Sequence, residues 1–94
     1  MLYAIYCLDK PGSLEVRLGN RPAHVAYLES QGDKLITAGP LMSEDGQTPL
    51  GSLLVFEADS RAGAEAFASG DPYALAGLFE SVAIRPWRKV FPKA

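Results

Sequence analysis

Leu2-Tyr3-Ala4-Ile5-Tyr6-Cys7-Leu8 runs directly into Asp9-Lys10-Pro11-Gly12. An unbroken apolar, aromatic-rich run closed by charge, proline and glycine is a strand followed by the turn that ends it. Successive side chains on a strand point to opposite faces, so Leu2, Ala4, Tyr6 and Leu8 share one face and Tyr3, Ile5 and Cys7 the other. Both faces are apolar. Gly51 to Ala58 repeats the pattern, with Leu53 and Val55 on one side and Leu54 and Phe56 on the other. A sheet with one face in water reads polar at every second position, and this one does not. Hiding several hundred Å2 of apolar sheet per subunit at about 25 cal/mol per Å2 favours association by roughly 10 kcal/mol before entropic costs. The expectation is a homodimer packed sheet to sheet about a two-fold axis.

The remaining segments surround these two strands in a regular order. Leu14, Leu18, Val25 and Leu28 recur at helical spacing, with Ser13 as a candidate cap and Gly32 as the stop. Pro22 falls inside this stretch, where a proline costs on the order of 3 kcal/mol. The segment is either one kinked helix or two pieces, the second capped by Asn20. Lys34 to Ala38 reads as a strand stopped by Gly39-Pro40, and Asp45-Gly46 marks a hairpin turn before the Gly51 to Ala58 strand. Asp59-Ser60 caps an alanine-rich helix, Arg61 to Ala68, that Gly70 ends. Asp71-Pro72 opens a short helical turn, because Asp suits the N-cap and Pro the first helical position. Leu78 to Trp87 is the last strand, with Arg88 to Phe91 expected to extend it beyond Pro86. The order β-α-β-β-α-β is the α+β, ferredoxin-like arrangement: a four-stranded antiparallel sheet backed on one face by two helices.

Composition bounds the function. A chain of 94 residues is expected to form one domain, residues 1–94. Its composition, 48% apolar and 21% charged, is that of a globular protein. The net charge of −2 gives no support to a nucleic-acid or anionic-membrane binder. Apolar runs of about seven residues fall far short of the roughly 20 that a membrane span needs. Met1 leads into a strand with no basic segment or small-residue cleavage site, so a cytoplasmic location is expected. One cysteine and one histidine offer neither an internal disulfide nor a metal-ligand set, and no metal is expected. Glycine-rich nucleotide-binding fingerprints are absent.

Few residues are left to carry chemistry. His24 is the only histidine, and imidazole alone exchanges protons near neutrality without a large environmental shift. It is either a packed structural histidine or an acid–base residue. Asp71 is either the helix cap just described or a carboxylate that orients an imidazole, as in hydrolase triads. In this topology the first helix and the connection before the last strand lie on the same side of the sheet. Such a fold therefore allows His24 and Asp71 to meet despite their separation in sequence. Gly39-Pro40 is either a strand terminator or a wall that a ligand approaches closely. Cys7 reads as a core residue. Ser13, Ser43 and Ser52 carry no nucleophile signature. Arg85, Arg88, Lys89 and Lys93 read as a solvated tail.

Arg17 with Arg21-Pro22-Ala23-His24, then Gly39-Pro40-Leu41, Gly51-Ser52, Asp71-Pro72-Tyr73, Ala76-Gly77-Leu78 and Arg85-Pro86-Trp87 occur in this order along nearly the whole chain. The series resembles the YCII-related (YciI-like) family of small bacterial proteins. The resemblance implies a dimeric α/β barrel in which ferredoxin-like sheets pair face to face. It also implies that the family's His-Asp pair maps onto His24 and Asp71, with Gly39, Pro40 and Tyr73 expected to contact substrate. Dehydrochlorinase-type elimination has been linked to the family, and related barrels include muconolactone isomerases and cofactor-independent monooxygenases. The function so implied is cofactor-free acid–base chemistry, elimination or isomerisation, on a small hydroxylated aromatic or lactone-like substrate. The alternative is a non-catalytic small-molecule-binding or assembly module with His24 and Asp71 as a buried structural pair.

Overall fold

The computed structural model describes residues 1–93. Its elements are β1 (Leu2–Asp9), α1 (Leu14–Glu29), a 3-10 turn (Gly32–Lys34), β2 (Leu35–Met42), β3 (Pro49–Glu57), α2 (Arg61–Gly70), α3 (Pro72–Leu75) and β4 (Phe79–Trp87). The strands form one antiparallel sheet in the order β2-β3-β1-β4. This is the ferredoxin-like β-α-β-β-α-β arrangement expected from the sequence. No helix among the described residues is long and apolar enough to cross a membrane.

Register decides which apolar face is covered. Tyr3, Ile5 and Cys7 pair with Phe56, Leu54 and Ser52 across β1 and β3, and all six are buried. Ala64 and Phe67 of α2 close over them, with Tyr27 and Leu28 of α1 alongside. Phe67 lies flat on Phe56, ring centroids 3.9 Å apart at 4°. The Tyr27 hydroxyl donates to the Phe67 carbonyl at 2.8 Å, which ties α1 to α2 across the top of the core. No helix among the described residues lies on the opposite face. Tyr6, Leu8, Leu53 and Trp87 stand there between 37% and 46% exposed, while Val55 among them is buried.

Several local features differ from the sequence reading. The stretch around Pro22, readable as one kinked helix or two pieces, is one helix. Residues buried or half-buried on the inward stripe, Arg17 before the proline and His24, Tyr27 and Leu28 after it, hold both halves against the sheet. Asn20 is not a cap; its amide donates to the Val16 carbonyl at 2.8 Å. Ser13 occupies the N-cap position without a side-chain hydrogen bond. β2 does not stop at Gly39-Pro40 but continues to Met42, with Pro40 opposite Ser52. It can do so because β2 is an edge strand, where a missing N–H need not break a ladder bond. Residues 88–91 do not extend β4, since Trp87 already pairs with Leu2, the first residue of β1. Ser60 caps α2 as expected, its side chain accepting from Gly63 N–H, and Asp45-Gly46 turns the β2–β3 hairpin with Gly46 at φ 73°.

Phe67→Ala removes the ring that joins α1, α2 and the sheet, and should lower stability by about 3–5 kcal/mol. Leu75→Ala, at a site 75% exposed, should stay within about 0.5 kcal/mol of wild type. Urea denaturation of both variants checks the pair.

Candidate active site

Arg17, Arg21, His24 and Leu28 are four, seven and eleven residues apart along α1, so they lie on one stripe of the helix. Arg17 and His24 are buried. Asp71, also buried, comes from the junction of α2 and α3. His24 Nδ1 lies 2.8 Å from Asp71 Oδ1 and 3.0 Å from Oδ2. Asp71 Oδ1 also accepts from the Tyr73 backbone N–H at 2.9 Å. The two roles left open for Asp71, helix cap and partner of an imidazole, are filled by the same oxygen. A carboxylate accepts and does not donate, so Nδ1 carries the proton. The neutral imidazole then has its lone pair on Nε2.

Tyr73 follows two residues later and stacks on the His24 ring, centroids 3.9 Å apart at 14°. The Arg17 guanidinium lies 4.5 Å from the centre of the same tyrosine ring. Burial pushes the Tyr73 phenol up, while Arg17 and Arg21 pull the other way without cancelling it, so the hydroxyl keeps its proton. Arg17 donates from Nε and Nη2 to the two oxygens of Asp9 at 2.7 and 2.9 Å, and from Nη2 to Ser52 Oγ at 2.9 Å. Burial pulls the guanidinium down, but the Asp9 carboxylate more than offsets this and holds it above its ordinary value. Ser52 can sit this deep because its neighbour is glycine. A Cβ at Gly51 would stand 2.2 Å from the Cys7 carbonyl oxygen, so any other residue would push β3 away from β1.

These side chains border a cleft of about 290 Å3 between α1 and the β2–β3 side of the sheet. His24, Tyr73, Gly39 and Pro40 line it. Asp71 does not; it stands behind the imidazole. Gly39 contributes backbone only: it pairs with Leu53, so a side chain there would point to the uncovered face. Pro40 pairs with Ser52 and shares its inward face. Arg17, Arg21 and Ser52 also line the cleft and were not singled out from the sequence as site residues. The signal for the arginines was present in their spacing from His24 along α1. No His24 Nε2 hydrogen bond occurs among the described residues, and no unpartnered side-chain nitrogen is fully buried. Nε2 therefore opens to the cleft.

The family model described as the YCII-related domain matches residues 1–88. The chain belongs to the YCII-related family. It is 45% identical to Protein YciI of Escherichia coli O6:H1, over 97% of this chain and 100% of that protein. It is 35% identical to an uncharacterized protein of Haemophilus influenzae with the same coverage. Among solved structures, this YCII-related chain is similar to the 5-chloro-2-hydroxyhydroquinone dehydrochlorinase TftG of Burkholderia phenoliruptrix, solved in complex with 2,5-dihydroxybenzoquinone. The TM-score is 0.86 and the identity 39%, over 94% of each chain. SnoaB, a cofactor-independent oxygenase from Streptomyces nogalater, shares the fold, with a TM-score of 0.62 at 15% identity over 98% of this chain and 97% of SnoaB.

Asp71→Asn separates the cap from the charge. Asn caps a helix about as well as Asp, so α3 should survive with little loss of stability. Oδ1 accepts from both the Tyr73 N–H and Nδ1, but the second oxygen, 3.0 Å from Nδ1, becomes an amide N–H2 that repels the Nδ1–H, and the negative charge behind the imidazole is lost. The His24 tautomer should shift toward Nε2–H, as 15N chemical shifts of the single histidine will report. An unchanged tautomer would limit Asp71 to capping.

Cys7 lies under the same groups. Burial pushes its thiol up from 9.0 to about 12, with the Asp71 carboxylate adding to the effect and Arg17 opposing it. The unfolded chain loses this proton near pH 9 and the folded chain retains it. The resulting stability is complete below pH 9 and is lost as pH rises toward 12. Thermal melts across that range should show a steeper fall for wild type than for Cys7→Ala, and iodoacetamide should leave the folded thiol unmodified at pH 8.

Proposed function

We propose that the protein is a small-molecule enzyme in which His24 moves a proton to and from a small acidic substrate while Asp71 holds the imidazole. The observation that carries this reading is the placement of Nε2: Nδ1 is engaged, and the other ring nitrogen faces open space large enough for a ligand. As general base, Nε2 takes a proton from a substrate C–H or O–H. The imidazolium so formed is offset by the Asp71 carboxylate on its far side. Return of the proton to a different atom is an isomerisation; departure of a leaving group such as chloride completes an elimination. Both reactions balance with protein groups and substrate alone, and the proposal therefore includes no metal or cofactor. The Pro40 ring, the Gly39 backbone and the Tyr73 side chain contact the substrate. Similarity to a dehydrochlorinase that takes a chlorinated hydroxyhydroquinone supports elimination on a hydroxylated ring.

We also propose that two copies pack through the uncovered sheet face, since Tyr6, Leu8, Leu53 and Trp87 form an apolar surface there that no helix among the described residues covers. Sedimentation should show a dimer at micromolar concentration. Leu53→Glu should yield a folded monomer or an aggregate, whereas Leu54→Glu, which points into the helix-backed core, should unfold. A stable wild-type monomer would overturn the pairing.

Turnover of chlorinated hydroquinones, hydroxyquinones and lactones by wild type and His24→Ala tests the chemistry. The variant should lose roughly 100- to 10,000-fold in kcat, with a lowered melting temperature because Asp71 loses its buried partner, and circular dichroism at the assay temperature should show it still folded. Equal turnover by the two proteins would remove His24 from the reaction. Binding without turnover of any compound would favour a non-catalytic binding module.

A further inference from the structure

The charged groups around the cleft are unevenly matched. Its wall carries Arg17, Arg21 and His24 and no carboxylate. Two acids stand just behind the wall and each is engaged, Asp9 with Arg17 and Asp71 with His24 and the Tyr73 N–H. Tyr73, facing the cleft from α3, keeps its proton, as does Cys7 beneath it on β1. Arg21 makes no ion pair or side-chain hydrogen bond among the described residues and is exposed at the cleft wall. On the sheet side, Ser52 is only 3% exposed and lines the same cleft. Its oxygen accepts from Arg17. A guanidinium has no lone pair to offer in return, so the Ser52 proton has no acceptor among the described residues. One unspent cation on the helix and one unspent donor on the sheet border the same space.

We infer that the ligand is a single-ring phenol or enol that is bound as its oxyanion, with Arg21 and the Ser52 hydroxyl meeting the charged oxygen. The inference rests on the acid–base reading of His24 and names the substrate class for it. The ligand's O–H bond breaks, an N–H bond forms at His24 Nε2, and the electron pair stays on the ligand oxygen. With a neutral imidazole, the two arginines and two aspartates cancel. After the transfer the protein is one charge more positive and the ligand one charge more negative. A carboxylic acid does not suit this arrangement, because it arrives already ionised and leaves His24 nothing to accept. Size agrees: an apolar cavity of about 150 Å3 holds benzene, so about 290 Å3 accommodates one substituted ring. Leu18, Val25, Leu28, Met42 and Leu54 supply apolar contacts for its faces.

The test uses 4-nitrophenol, which is yellow only as its anion, and its neutral methyl ether 4-nitroanisole. At a pH just below the ordinary pKa of the phenol, binding to wild type should turn the bound fraction yellow. The phenol should bind about tenfold or more tightly than the ether, the scale of one charge-assisted hydrogen bond. Arg21→Gln, at an exposed position that the fold does not need, should abolish the colour and the preference while leaving 4-nitroanisole binding unchanged. Arg21→Lys should restore part of both, and Ser52→Ala should weaken the anion alone. Equal affinity for the two probes, an unchanged colour in Arg21→Gln, or failure of wild type to bind either probe would overturn the inference. Loss of colour in His24→Ala together with its persistence in Arg21→Gln would overturn the inference and leave the acid–base reading standing. Persistence of colour in His24→Ala would remove that reading as well.

Discussion

The arrangement of the cleft depends on one buried carboxylate shared by two helices. Asp71 accepts from the His24 ring on α1 and from the backbone of Tyr73 on α3. A carboxylate this deeply buried is tolerable only while its partners stay in place, so its hydrogen bonds fix the neighbours as much as the neighbours satisfy it. α3 has four residues, too few to form a helix on its own, and its cap supplies the missing constraint. The same contact places Tyr73 two residues downstream, where its ring stacks on the imidazole and restrains it from the side.

A second buried polar group sets the rotation of α1. Arg17 is fastened by two parallel hydrogen bonds to Asp9 at the end of β1 and by a third to Ser52 on β3. A buried ion pair of this kind gains little net stability over apolar packing, but removing one partner leaves a charge stranded. Its effect here is geometric. With Arg17 fixed to two strands, the residues four and seven positions further along the helix, Arg21 and His24, must face the cleft. The planar guanidinium matches a carboxylate in a way that a lysine ammonium does not.

Much of this was legible before the structure. The β-α-β-β-α-β order followed from alternation, turn chemistry and caps; His24 stood out as the only histidine, and Asp71 through its place before Pro72, the topology and the family resemblance. The features that escaped have physical causes. Gly39-Pro40 reads as a terminator because propensity does not reveal which strand will lie at the edge. Pro22 leaves one helix and two equally readable because its cost is local, whereas the packing that keeps α1 intact comes from the sheet. Arg17 and Ser52 look like ordinary surface residues in the sequence. Their burial requires Asp9, Gly51 and the β1–β3 register to come together, and that is a tertiary fact.

The edge that admits Pro40 has a consequence for how the chain meets its neighbours. β2 is the outermost strand on its side of the sheet, and irregular register flanks the proline at Leu35/Thr37 and at Leu41/Met42. An incoming strand needs an even row of donors and acceptors, and a proline between two shifts of register interrupts that row. Edge-to-edge growth of the sheet into fibrous or domain-swapped assemblies is thereby discouraged along the strand that borders the cleft. The residue that lines the cleft thus also keeps the adjoining backbone from serving as a template for other chains.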